Sequence, residues 1–350
     1  MTSCSTDRPL RVVAIGGGTG LSTLLRGLKH YTKPLGPKSK DAPQAPCCIQ
    51  QLTAVVTVTD DGGSSGRLRR DLRMLPPGDV RNCIAALSED ESLLSHLFQF
   101  RFPEAEDGQD TGLAGHSFGN LFLAALTHIT GDFSQAVQMS SQVLAARGQI
   151  FPATNTDVHL SAVMDDGTVV EGETNITAST KIIRELHMHP ADAPPMQQTL
   201  RAIAEADLIT LGPGSLYTSL ITNLLVRGIP EALAASRATR VYICNLMTQA
   251  NESLGLTASQ HLSRIQDHAG DRIFDYALIN DAPLSPELVE RYAREGQSPI
   301  APDIDAIRSL GIVPVTGSFA HEGEKLRHDY DRLAESLIEL GQRGRPRHSP

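Results

Sequence analysis

The sequence predicts an α/β protein: a mainly parallel sheet with helices on both faces, three layers deep. Two observations carry this. Short β-branched apolar runs end in glycine-rich turns, and helical segments follow. The runs are continuously apolar, which suits strands buried on both faces.

Val12-Val13-Ala14-Ile15 marks a strand over 11–15, closed by Gly16-Gly17-Gly18-Thr19-Gly20 and followed by a helix over 21–28. Residues 33–50 hold four prolines and three lysines without periodicity, and read as a surface insertion. A second strand over 54–58 ends in Thr59-Asp60-Asp61-Gly62-Gly63-Ser64-Ser65-Gly66-Arg67. Helices are expected to 87 from Pro76-Pro77-Gly78-Asp79, then over 92–100, 117–130 and 133–146, with a polar loop at 104–112. Segments 158–164 and 168–173 flank Asp165-Asp166-Gly167, a hairpin signal. They predict a small antiparallel excursion near 158–173. Alternation then resumes: helix 197–205, strand 208–211, helices 217–226 and 231–235, strand 241–245, helix 258–268, strand 276–280, helix 285–295. A charged helix closes the chain over 322–341. Residues 1–10 read as disordered and 343–350 as a frayed tail, leaving 11–342 as one domain.

Composition narrows the function. The chain has 350 residues, 40% of them hydrophobic and 20% charged, as in soluble globular proteins. Its formal net charge of −9 gives no support to nucleic-acid binding. Five cysteines without paired spacing argue against a disulfide framework and a zinc site, and favour a reducing cytoplasm. No signal-peptide or membrane-spanning pattern is visible, so no membrane insertion is expected.

The turn Gly16, Gly17, Gly18, Thr19, Gly20 joins a strand to a helix, where backbone N–H groups and the helix dipole suit a phosphate. It lacks the lysine of a P-loop, and Leu21 breaks the dinucleotide fingerprint. Asp60 and Asp61 end a strand where a carboxylate can grip a ribose or, as a pair, a Mg2+ that bridges a diphosphate. Gly62, Gly63, Ser64 and Ser65 can form an anion nest with Arg67 as a clamp, although Asp-Gly also favours a plain turn. Asp79 reads as a helix cap, with Arg81 and Asn82 on the first turn behind it. In Gly115-His116-Ser117-Phe118-Gly119-Asn120, His116 suits proton transfer and Asn120 ligand contact, while Ser117 competes as a helix cap. No buried strand precedes it, which excludes a hydrolase elbow. Gly212, Gly214 and Ser215 form a second phosphate-type turn after a strand. Asn245 and Gln249 follow another strand and offer amides to a base or sugar. In open α/β sheets, ligands bind at this carboxyl edge, so four such loops favour a nucleotide site.

Taken together, these glycine, Asp-Asp, Pro-Pro-Gly-Asp, Gly-His-Ser and Gly-Pro-Gly-Ser motifs resemble those of the gluconeogenesis factor family, also called YvcK-like. The resemblance covers about 11–320, and that family is related to the 2-phospho-L-lactate transferases (CofD). It implies a Rossmann-like α/β/α fold in a cytoplasmic bacterial protein that binds UDP-sugars such as UDP-N-acetylglucosamine. Its role would be regulatory, in cell shape, morphogenesis and wall synthesis on gluconeogenic carbon sources. Partners would be a nucleotide ligand, cell-wall synthesis proteins and a second copy in a homodimer. The glycine turns would carry the diphosphate and Asp60 and Asp61 the Mg2+ or ribose. The alternative is a magnesium-dependent phosphotransferase, with Asp61 and His116 as catalytic groups. Thr248-Gln249-Ala250-Asn251-Glu252-Ser253 departs from the family's Thr-Gln-Pro-Gly-Glu-Thr, and the 33–50 insertion is long. A nicotinamide dehydrogenase is disfavoured by the broken fingerprint.

Overall fold

A computed structural model describes residues 8–33, 47–88, 93–103, 112–249 and 252–345. Strands β1 (Leu10–Gly16), β2 (Ile49–Val56) and β3 (Gln149–Pro152) open the main sheet. After them come β4 (His159–Met164), β5 (Val169–Glu171) and β6 (Ile183–His189), which pair antiparallel in the order β5-β4-β6. The main sheet resumes with β7 (Leu208–Leu211), β8 (Thr239–Ile243), β9 (Tyr276–Asn280) and β10 (Val313–Gly317). A two-stranded ribbon, β11 (Ala320–His321) and β12 (Arg327–His328), follows.

The seven-stranded sheet runs β10-β9-β8-β7-β1-β2-β3, every neighbour parallel. From β1 the chain steps outward to β2 and β3; from β7 it steps the other way to β10. The strand order therefore reverses between β1 and β7, and a crevice opens at their carboxyl ends. The α/β architecture and the small antiparallel sheet match the sequence expectation.

The central strands are apolar throughout because helices cover both faces: Val12, Val13, Ala14 and Ile15 are buried, as are Leu208, Ile209 and Leu211. Helix Gly18–Lys29 presents Leu21, Leu24, Leu25 and Leu28 on one face, all fully buried. That spacing is the helical repeat, and each such side chain contributes about 1.5–3 kcal/mol on burial. The helix packs on helices Gly78–Leu87 and Tyr330–Arg343. Gly27 allows the last contact, since a Cβ there would strike the Tyr330 carbonyl.

Several boundaries differ from expectation. Residues 63–67, expected as a nest, start helix Gly63–Leu72. Strands β3, β6, β10, β11 and β12 were not expected; β12 lies inside the helix expected over 322–341, which begins only at Tyr330, after the ribbon. Residues 217–226 open as π-helix Leu216–Ile221. β1 opens at Leu10 and β2 at Ile49, inside the expected disordered stretch and insertion. The rest of the 1–10 call (1–7), most of the insertion (34–46), most of the polar loop (104–111) and the end of the tail (346–350) lie outside the described residues. Cys47, Cys83 and Cys244 are free thiols, but Cys48 is disulfide-bonded, so the thiol-only expectation fails there. No helix among the described residues is long and apolar enough to cross a membrane.

Candidate functional site at the sheet's carboxyl edge

A cavity of about 910 Å³ lies at the crevice between β1 and β7. Its floor is the first glycine turn, with Gly17, Gly18, Thr19 and Gly20 in the lining. Gly18 sits at φ +61°, a left-handed conformation that favours glycine. A Cβ on Gly20 would run into the Pro213 carbonyl, so the two glycine turns touch through backbone. From the second turn, Pro213, Gly214, Ser215, Thr218 and Ser219 line the cavity.

The wall on the β2 side is acidic. Asp60, Asp79 and Glu173 all line it. Asp60 Oδ1 accepts the Gly62 N–H at 3.0 Å, an Asx turn that fixes its rotamer. Burial, reinforced by the charge of Asp60, pushes the Asp79 carboxyl up to about 6, against the pull of the Gly18 N–H. Burial and then the charges of Asp60 and Asp61 push Glu173 up to about 8. The wall on the β9–β10 side carries cations: Arg291 from helix Pro286–Ala293, and Lys325 and Arg327 from the ribbon, with Glu295 and Glu324 nearby. Tyr292 Oη accepts the Leu326 N–H at 3.0 Å, tying helix to ribbon. His328 Nε2 donates to the Cys244 carbonyl at 3.0 Å, and burial lowers its pKa to about 4, so it is a neutral positioning group.

Amides and a carboxylate lock the loops. Asn245 exchanges two hydrogen bonds with Gly214, accepting its N–H at 3.2 Å and donating to its carbonyl at 2.8 Å. Gln249 Nε2 donates to Ser215 Oγ at 3.0 Å. Both amides thus brace the second turn while still lining the cavity. Glu252 Oε2 accepts the N–H groups of Tyr217 and Thr218 at 2.9 and 3.3 Å, and its Oε1 accepts Thr218 Oγ1 at 2.7 Å. A carboxylate of the protein therefore already fills the anion position at the π-helix N-terminus. This corrects the expectation that the second turn offers its helix end to a phosphate.

Sequence similarity agrees with this layout. Residues 12–320 match the family described as 2-phospho-L-lactate transferase CofD. A gluconeogenesis factor of Halalkalibacterium halodurans is 47% identical over 97% of both chains. One of Bacillus subtilis is 43% identical over 94% of this chain and 98% of its own. The chain belongs to the CofD-like gluconeogenesis factor family. A crystal structure of a Bacillus halodurans protein superposes with a TM-score of 0.86 at 45% identity, covering 95% of this chain and 99% of that one.

In this family member the candidate residues divide. Gly17, Gly18, Thr19, Gly20, Asp60, Gly214, Ser215, Asn245 and Gln249 line the cavity. Gly16, Asp61, Gly62, Gly63, Ser64, Ser65, Arg67, His116, Asn120 and Gly212 do not. Asp61 caps helix Glu173–Ala178: its oxygens accept the Glu173 and Thr174 N–H groups, each at 2.8 Å, and the Thr174 hydroxyl at 2.5 Å. Adjacent carboxylates on one loop thus face different ways, and the Asp60–Asp61 metal pair does not form. Nor is Asp61 placed as a catalytic group. His116 is buried with Nδ1 3.0 Å from Ser64 Oγ, which accepts Asn120 Nδ2 at 3.0 Å. His116 therefore does not reach the cavity as an acid or base. Ser117 is a helix cap, accepting the Asn120 N–H at 3.3 Å.

Sequence reasoning missed Asp79, Glu173 and the cationic wall. Asp79 read as a cap because it follows Pro-Pro-Gly; its helix returns beside β1, where Gly17 leaves room for it. Glu173 arrives from the antiparallel sheet, which no glycine motif marks.

Proposed function

We propose that the cavity binds a nucleoside diphosphate sugar of the UDP-sugar class, and that the bound protein acts as a regulator. The observation that supports this best is the pairing of an approximately 910 Å³ cleft with one glycine turn and three cations. That volume lies in the ~300–1,000 Å³ range of small-ligand clefts. The diphosphate sits on the 17–20 turn and faces Arg291, Lys325 and Arg327. Asp60 and Asp79, with phosphate oxygens, are the set that suits Mg2+, which takes one or two carboxylates plus substrate phosphates. Such a cation relieves the buried Asp79 carboxyl, which burial and the charge of Asp60 push up. The regulatory reading follows the family's tie to cell shape and wall synthesis on gluconeogenic carbon sources.

Isothermal titration of the full chain with UDP-N-acetylglucosamine, UDP-glucose, GDP and NAD tests this. Saturable binding of a UDP-sugar and weaker binding of NAD are expected; no heat with either UDP-sugar overturns it.

The transferase reading draws on one observation: two carboxyls of the cavity, Asp79 and Glu173, are poised at about 6 and about 8. Groups in that range suit proton transfer near neutral pH. Turnover of a guanosine-diphosphate-activated lactyl phosphate with Mg2+, lost in Asp60→Asn, supports it. Binding without turnover of any acceptor counts against it.

A further inference from the structure

We infer that helix Pro286–Ala293 and the ribbon form one lid, which opens and closes over the main cavity as a unit while the sheet stays fixed. The inference rests on the reading that the cavity binds an anionic nucleotide. Both segments leave the carboxyl edge of the sheet, the helix after β9 and the ribbon after β10. Both line the cavity: Arg291, Tyr292 and Gln297 come from the first segment, and Lys325, Leu326 and Arg327 from the second. Little holds either to the body of the protein. Over 281–299 Leu288 is the one buried residue, and over 320–327 none is buried. Few buried apolar contacts mark a segment that opens locally at low cost. The roots are the opposite. Ile300 and Phe319 are buried. The Ile300 N–H donates to the Leu246 carbonyl at 3.1 Å and the Phe319 N–H to Asn280 Oδ1 at 2.9 Å. His328 pins the far end of the ribbon to the Cys244 carbonyl. Segments fixed at their roots and bare along their length have the layout of a hinged lid.

Two hydrogen bonds lace the segments together, one at each end of the helix. At its start, Glu322 Oε1 accepts the Ser285 N–H at 2.8 Å. Near its end, Tyr292 Oη accepts the Leu326 N–H at 3.0 Å. Ties at both ends of a rigid helix fix its orientation, so neither segment swings without carrying the other. The lid brings its cations to one wall, while Asp60 and Asp79 belong to the wall on the β2 side. A diphosphate with Mg2+ between the walls gains the lid's contacts when the lid is closed and loses them when it is open. That difference in affinity is what shifts the equilibrium toward closure. Glu322 does not line the cavity, so it is a positioning residue that reaches the ligand through the lid alone.

Pulsed electron paramagnetic resonance on the full chain tests the lid. Nitroxide labels go on Arg294→Cys, beside the lid helix, and Ala178→Cys, on the helix of Glu173; both positions are exposed. Cys47→Ser removes the partly exposed thiol. A broad distance distribution is expected without ligand, and UDP-N-acetylglucosamine with Mg2+ should narrow and shorten it. Glu322→Ala should broaden the ligand-free distribution and weaken calorimetric affinity about fivefold, the loss of one hydrogen bond. Glu322→Gln, which keeps an oxygen acceptor for the Ser285 N–H, should restore both. One narrow ligand-free distance that Glu322→Ala leaves unchanged overturns the lid, whether or not a UDP-sugar binds. So does a UDP-sugar affinity that Glu322→Ala leaves unchanged. A wild-type chain that binds no UDP-sugar fails the nucleotide reading alone, and the ligand-free distances still decide the lid.

Discussion

Position 20 has no room for a side chain, because a Cβ would enter the Pro213 carbonyl. Gly20→Ala should therefore separate the two turns and cost about 3 kcal/mol, as overpacking of a close contact does. Urea unfolding measures this; an unchanged midpoint would show that the turns do not need to touch. Glu252 is the converse case, where a side chain fills a place that looks reserved for a ligand. Glu252→Ala leaves the Tyr217 and Thr218 N–H groups buried without their acceptor and should cost about 2 kcal/mol. Glu173 carries the pH dependence. Its folded pKa is raised to about 8 from 4.5, so the folded state holds a proton that the unfolded chain has released. Stability from this group is present below pH 4.5 and is lost as pH rises through 8. Glu173→Gln should match the wild type near pH 4 and exceed it at pH 9, by on the order of 2 kcal/mol after allowance for partial exposure. Thermal melts across that range read the difference, and a variant that is less stable at pH 9 would refute the assignment.

At the scale of elements, the strands that frame the site were legible because each is a short apolar run, ended by glycine or asparagine or, after β2, by Thr59-Asp60-Asp61. β7 and β9 fall at the expected residues. The elements that were not legible fail for identifiable reasons. Helix Gly63–Leu72 opens with Gly, Ser, Ser and Gly, poor helix formers, and tertiary contacts hold it. In β6, the buried residues Ile183, Leu186 and Met188 miss strict alternation because the register shifts opposite Val163 and Met164. β10 is an edge strand with Pro314 and only partial burial, so it lacks the apolar run of its neighbours. The ribbon that supplies Lys325 and Arg327 is too short for any periodicity. These two cations give the element-scale prediction: Arg327→Ala should weaken nucleotide-sugar affinity roughly tenfold, ~1.4 kcal/mol, and lessen its salt dependence. Equal affinity and equal salt slope in calorimetry would remove the ribbon from the site.

Across the whole molecule, the strand order reverses at β1 and β7, and everything the site uses gathers at that crevice. The loops after β1, β2, β7 and β8 were read from sequence. The contributions of helix Gly78–Leu87, of the antiparallel sheet and of the ribbon depend on long-range packing that local sequence does not encode. The acidic and cationic walls belong to opposite halves of the sheet, so a ligand that spans both should hold the halves together. Titration of the full chain with UDP-N-acetylglucosamine and Mg2+, read by thermal unfolding, tests this most directly. At 100 times its dissociation constant the ligand should add about 2.7 kcal/mol of stability, with the gain reduced in Asp60→Asn and in Arg327→Ala. No gain with the wild-type chain, or an equal gain in both variants, would contradict the account.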